Sequence, residues 1–501
     1  MRLKDRINPG PKLLIAIFFI IAAGLFAYRK ALDNFFYGDD FGFISEARAI
    51  HLFRPAELWQ GIISIIQPSW FRVEFIFFFI NNILESLFGL NPFLYHLHNL
   101  LLHITACGFV YAIILKITGV RRVSFLASLF FLLNPLSSET VYWYTGAHTL
   151  YVAYFIILTL WCYAYSYRKL SVLFLALAMC TKPEASVLLL YIALIDICLF
   201  GFSSIRETKT RLQYHILASI ITFIVYALYY RNAATWPIPE HRFQFQLTNY
   251  SLEQVFKNLS YLIIPIKKLY YLAMPLLFLL FFLNLNSKEK RLLLFGLGFL
   301  FLSILPYQLF IIDPNGFYFS HYETVRYFYL PALGWAFLIA AVLMIALTRI
   351  NSVGQIAVYA SLGWLLFFNL AALGKLDRFF EEREHYYKLL VKGVTPYFKN
   401  NPDKFLVLFN FPSFADPVLT SFYTSDFPLI SEMFFNYKLF SVSELKSLPD
   451  SAWIKEKYAA LPASNDVVML EFKGEQIIKV SPEDKEACYR NFLNQAGYLY
   501  Q

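Results

Sequence analysis

The chain has 501 residues, of which 58% are hydrophobic, 19% aromatic and only 15% charged. Soluble domains carry about 25% charged residues, so this composition excludes a disordered chain, a collagen, a coiled coil and an ordinary cytosolic enzyme. It leaves a polytopic membrane protein with at most one soluble appendage. The formal net charge of +9 is read as Lys and Arg held in short cytoplasmic loops, so no nucleic acid is expected as a partner.

The start, Met1 to Arg6, is basic, and Leu13 to Ala27 is continuously apolar. Because this run leads into the loop with the strongest motif, it is read as a retained helix and not a cleaved signal peptide. A bilayer core of about 30 Å needs about 20 apolar residues per crossing. On that measure the candidate spans are 11–28, 94–117, 123–139, 147–167, 170–181, 184–200, 212–231, 262–284, 291–312, 327–348 and 354–375. The expected fold class is therefore a polytopic α-helical membrane protein of about eleven transmembrane helices. Arg121/Arg122, Arg168/Lys169, Arg206/Lys209/Arg211, Lys288/Lys290/Arg291 and Arg349 then join the basic start on one side. That is the cytoplasmic side by the positive-inside rule.

Eleven crossings put the C-terminus outside. The division expected is a membrane domain over 1–375, with a long first outer loop at 29–93, and an extracytoplasmic α/β domain over 376–501. In the latter, Phe405–Asn410 reads as a buried strand, and Val467–Phe472 with Gln476–Val480 as a β-hairpin. Cys107, Cys162, Cys180 and Cys198 lie in apolar runs, and with Cys488 they form no CxxC pair, so neither a disulfide framework nor a zinc site is indicated.

Tyr37-Gly-Asp-Asp-Phe41 follows the first span. Adjacent carboxylates at a membrane surface suit a general base or a divalent cation; Asp39 or Asp40 would equally serve as a helix cap. His96, Asn99 and His103 share one helix face, where they could ligate a metal or hydrogen-bond between helices. Further motifs are Asn134-Pro…Glu139-Thr-Val-Tyr-Trp143, Thr181-Lys-Pro-Glu184 and Glu323-Thr-Val-Arg-Tyr-Phe-Tyr-Leu-Pro331. Asp39, Asp40, Glu139, Lys182, Glu184, Glu323 and Arg326 all fall on the outer side. An enzyme using a lipid-phosphate donor needs this arrangement, because the lipid tail pins the phosphate at headgroup depth. There a cation neutralises the leaving phosphate and a carboxylate accepts the acceptor's proton.

Taken in order, Asp39-Asp40, Trp70-Phe-Arg72, Phe88 to His103, Asn134-Pro…Glu139…Trp143…Gly146, Thr181-Lys182…Glu184 and Arg326-Tyr-Phe-Tyr-Leu-Pro331…Gly334 resemble the motifs of GT-C fold glycosyltransferases. They are most similar to the protein O-mannosyltransferase-like group, which includes the transmembrane and tetratricopeptide-repeat mannosyltransferases. Val73, Ala147-His148-Thr149 and Pro183 depart from that pattern, and these departures bear on acceptor and sugar more than on fold.

The resemblance implies an inverting transferase that moves a monosaccharide from a polyprenyl-phosphate donor to an acceptor hydroxyl on a protein, lipid or glycan. Asp39 would be the catalytic base, with Asp40 as alternate. Arg326 and Lys182 would bind the donor phosphate. Glu139, His96, His103, Arg72, Glu184 and Tyr327, all within these motifs, are the candidate substrate-binding residues. The setting expected is a bacterial inner membrane with the site on its external side. The rival expectation is a transporter, flippase, polymerase or ligase of lipid-linked glycans.

Overall fold

The computed structural model describes residues 11–49, 75–182, 185, 187–201, 205–233, 285–310, 328–409, 430–431, 433–435, 439–441, 466–473 and 476–497. The chain divides into two units. The first is Met1–Asp33, Ile63–Ile80 and Phe93–Arg378; the second is Asn34–Ile62, Asn81–Pro92 and Phe379–Gln501.

In chain order the helices are α1 (Pro11–Ala27), α2 (Asp39–Ala49), α3 (Phe75–Phe88), α4 (Pro92–Thr118), α5 (Arg121–Leu132), α6 (Glu139–Tyr142) and α7 (Ala147–Ala164). They continue as α8 (Arg168–Met179), α9 (Leu188–Phe200), α10 (Ile205–Ala233), α11 (Ser287–Phe310), α12 (Tyr329–Arg349) and α13 (Ser352–Asn400). Strands β1 (Phe405–Phe409), β2 (Leu439–Ser441), β3 (Val467–Lys473) and β4 (Gln476–Lys479) follow, and then α14 (Pro482–Gly497).

The fold is mostly helical, as a helical membrane protein requires. Among the described residues four helices are long and apolar enough to cross a bilayer: α4, α7, α12 and the Ser352–Glu382 part of α13. This corrects the expectation of eleven. The apolar stretches Leu13–Ala27, Ile76–Phe88 and Leu188–Phe200 are shorter. Helices α5 and α8 have 12 residues each, about 18 Å of rise against a core of about 30 Å. The run expected at 123–139 stops at Leu132 because Asn134-Pro135 cannot continue a helix. The candidate span 262–284 lies outside the described residues.

Glycine lets α11 and α12 pack backbone to backbone in the first unit. A Cβ on Gly334 of α12 would stand 2.8 Å from the Leu300 nitrogen, and one on Gly296 of α11 would stand 2.9 Å from the Leu338 nitrogen. The two backbones thus meet at reciprocal glycines, the small-residue contact by which helices associate in lipid. Aromatic rings fill the remaining space: Phe295 lies 4.5 Å from Phe337, and Tyr191 stacks on Phe299 at 4.2 Å.

In the second unit the sheet order is β2-β1-β3-β4. Strand β1 runs parallel to β2 and β3, and β3 pairs antiparallel with β4. The strand and the hairpin expected from the sequence are both present. Leu406, Val407 and Leu408 are fully buried, so β1 is apolar on both faces, as a central parallel strand is. α13 is one 49-residue helix, and the division expected at 375/376 falls inside it. Its second half packs on the sheet: Gly393 faces Ile477 so closely that a Cβ would come within 2.9 Å, and the Tyr397 hydroxyl donates to the Ile477 carbonyl at 3.2 Å. Ser481 and Asp484 form a reciprocal cap at the start of α14, with Pro482 at the first helical position.

Candidate functional site

Among the described residues of the first unit, buried polar side chains gather around residues 132–149. Once α5 has ended, Asn134 closes a 3-10 turn over Pro135–Ser137 by accepting the Leu136 N–H at 3.0 Å. The one-turn helix α6 follows, and the chain then doubles back through Gly146. A Cβ there would meet the Thr140 Cα and the Trp143 carbonyl at 3.0 Å and the Glu139 carbonyl at 3.1 Å, so a larger residue would push this backbone apart by a few tenths of an ångström. Glu139, Thr140, Thr145 and Thr149 are all buried.

Other elements of the same unit send polar side chains to this segment. Asn99 of α4 donates to the Thr140 carbonyl at 3.1 Å. Tyr28, just past α1, donates to the Leu132 carbonyl at 2.9 Å. His103 faces that same carbonyl through Nε2 at 3.0 Å and the Tyr329 hydroxyl through Nδ1 at 2.8 Å. Lys182, beyond α8, donates through Nζ to Thr149 Oγ1 at 3.2 Å. The Ile76 N–H of α3 bonds the Cys180 carbonyl at 3.3 Å, and the Phe77 ring packs edge-on to His148 at 5.7 Å. From the last turn of α6, the Tyr142 hydroxyl donates to the Asp377 carboxylate. Burial, and next the charge of Asp377, hold that hydroxyl well above the ordinary tyrosine range, so it stays a neutral donor.

Of the residues singled out in the sequence, Glu139, His103 and Lys182 therefore meet around one short segment. His96, a fully buried residue of α4, shares the buried face with Asn99 and His103. The hydrogen-bonding reading of that face holds for Asn99 and His103, because both nitrogens of His103 have protein partners. Arg72, Glu184, Arg326 and Tyr327 lie outside the described residues.

Asp39 and Asp40 belong to the second unit. Gly38, at φ +59°, turns the chain into α2. Asp40 is fully buried and accepts the Tyr37 N–H at 3.2 Å, an acidic side chain reaching back to satisfy an orphan donor at the helix start. The rings of Phe41 and Tyr387 close over this turn at 5.2 Å. Asp39 opens α2, and its side chain lies outside the described residues. Asn81 and Asn82 of α3 donate to the Phe43 and Ala47 carbonyls at 2.7 and 2.6 Å, and Arg48 pairs with Glu85 at 2.8 Å. Of the two adjacent carboxylates, the helix-capping part of the sequence reading belongs to Asp40.

Among the described residues no three His, Cys, Asp or Glu side chains are grouped to hold a metal ion. Sequence reasoning missed Tyr28, Tyr142 and Asp377. An acid standing where an apolar run ends, as Asp377 does, was the available signal; the tyrosines carried none, because the chain has 35 of them. No protein-family model, no curated protein and no solved structure matches this chain.

Proposed function

We propose that the protein is an inverting glycosyltransferase of GT-C-like architecture. In this reading it moves a monosaccharide from a polyprenyl-phosphate donor to an acceptor hydroxyl at the outer face of a bacterial inner membrane. The observation that carries the reading is the meeting of Glu139, His103, Asn99 and Lys182 on residues 132–149. Ionisable groups buried among apolar helices are costly to place there and mark functional sites by default. These lie within the motifs by which the sequence resembles GT-C transferases.

Asp39 takes the proton of the acceptor hydroxyl as that oxygen attacks the anomeric carbon. The sugar–phosphate bond breaks with inversion, and the polyprenyl phosphate leaves with the electron pair. Arg326 and Lys182 neutralise the departing phosphate. A positioned general base is worth about 10²–10⁴-fold in rate.

The test is to incubate purified protein with a panel of polyprenyl-phosphate monosaccharides and follow consumption of the donor. Asp39→Asn is expected to abolish most turnover in a protein that still inserts and purifies normally. Near-normal turnover in that variant overturns the assignment. Passage of intact donor across the bilayer without consumption would support a flippase in its place.

A further inference from the structure

The opposite end of the first unit carries a separate chemistry. Lys288, in the first turn of α11, donates through Nζ to the Thr118 carbonyl at the end of α4, 2.7 Å away. Three residues beyond Thr118, Arg121 and Arg122 open α5. Along α4, Thr118 lies 15 residues from His103, about 22 Å of rise, so this is not the polar region around residues 132–149.

Asp196 and Glu289, the described acids near this end, are already committed. Asp196 is held by Arg211 through two bonds of 2.7 Å and by the Tyr163 hydroxyl at 2.6 Å. Glu289 takes Arg349 at 3.1 Å, the Thr348 hydroxyl at 2.6 Å and the Asn286 N–H at 2.9 Å. Arg121, Arg122 and Lys288, at the junction of α4, α5 and α11, are exposed, and among the described side chains they have no carboxylate partner.

The cationic edge of the junction sits above an apolar stripe on α5, where Arg122, Phe125, Leu126 and Leu129 share one helix face. Phe125, Leu126 and Leu129 are half-buried. A free phosphate would use only the cations. A ligand that matches both features has an anionic head and hydrocarbon tails.

We propose that the α4–α5–α11 junction binds an anionic phospholipid of the bilayer, its phosphate held by Arg121, Arg122 and Lys288 and an acyl chain lying along Phe125, Leu126 and Leu129. This site is independent of the transferase reading. The full chain, placed in nanodiscs of mixed phosphatidylcholine and phosphatidylglycerol and released for native mass spectrometry, is expected to retain phosphatidylglycerol in preference. Each of Arg121→Gln and Arg122→Gln is expected to lower that retention by about fivefold, equivalent to about 1 kcal/mol per cation near a headgroup. Arg121→Lys with Arg122→Lys keeps the charge and is expected to keep the preference, so it remains informative if a Gln variant fails to insert. Added inorganic phosphate is expected to leave the retained lipid in place. The proposal is overturned if the wild type shows no preference, if the Gln variants retain the lipid as the wild type does, if the Lys variant loses the preference, or if phosphate alone displaces the lipid.

Discussion

The Tyr329 hydroxyl lies 2.8 Å from His103 Nδ1, joining residues 226 positions apart in the chain. The chemistry fixes the direction of this bond. The Leu132 carbonyl can only accept, so His103 Nε2 carries the proton that it receives at 3.0 Å. Nδ1 of the neutral ring is then an acceptor, and the Tyr329 hydroxyl donates to it. Removing either partner leaves a buried group unsatisfied, which costs about 1–3 kcal/mol. His103→Leu and Tyr329→Phe are each expected to lower the unfolding midpoint of the purified protein. The double variant is expected to cost less than the sum, with a coupling of about 0.5–3 kcal/mol. Additive losses would show that the pair does not act as a unit.

The reciprocal glycines of α11 and α12 make a prediction with an internal control. A methyl group at Gly334 would press on the Leu300 backbone, whereas nothing lies within 4 Å of a Cβ at Gly363. Gly334→Ala is therefore expected to destabilise by about 1–3 kcal/mol, as overpacking does. Gly363→Ala, in an open helical position, is expected to be neutral or to gain up to about 1 kcal/mol from helix propensity. Thermal unfolding monitored by size-exclusion recovery compares the two. Equal behaviour would mean that α11 and α12 do not meet at Gly334.

Local chemistry made much of this molecule legible in its sequence. Thr181-Lys182 at an apolar break and the hairpin spacing of 467–480 mark features that the chain adopts, because each depends on neighbouring residues only. The length of α13 was not legible. Charges return at Asp377, but Arg, Glu, Leu and Lys are strong helix formers, and no proline intervenes before Pro396. A change of composition is thus not a change of backbone. Spans were overcounted because apolar composition does not report helix length: the helices at Arg121–Leu132 and Arg168–Met179 stop after 12 residues each, short of a crossing. The partners of Tyr28 and Tyr142 depend on tertiary packing across 104 and 235 positions, which no local pattern encodes.

The Tyr142–Asp377 contact carries a pH dependence. Burial, followed by the Asp377 charge, raises the Tyr142 hydroxyl above its unfolded value of about 10. A group whose pKa is raised on folding contributes stability that is fully present below the unfolded value. That contribution is lost as pH climbs through the interval to the folded value, because there only the unfolded chain releases the proton. Wild-type stability is therefore expected to be insensitive to this group between about pH 7 and pH 9 and to fall above about pH 10. Tyr142→Phe is expected to be less stable than the wild type at neutral pH, with a shallower alkaline decline. The difference between the two unfolding-midpoint profiles isolates Tyr142 from the other tyrosines, and parallel profiles would refute the assignment.

The adjacent carboxylates at the start of α2 separate folding from turnover. Asp40 is fully buried and satisfies the Tyr37 N–H, so Asp40→Ala removes an acceptor that α2 needs. A loss of about 0.5–2 kcal/mol is expected, as for other helix caps. Asp40→Asn retains a carbonyl oxygen that can take the same N–H, so most of that stability is expected to remain. Asp39, in the transferase reading, has the opposite profile: Asp39→Asn is expected to keep the unfolding midpoint and lose about 10²–10⁴-fold in rate. Measuring midpoint and donor turnover on the same preparations of Asp39→Asn, Asp40→Asn and Asp40→Ala decides between the two carboxylates. If Asp40→Asn were the stable, inactive variant and Asp39→Asn turned over normally, the base would be Asp40, and α2 would have to open before the acceptor could reach it.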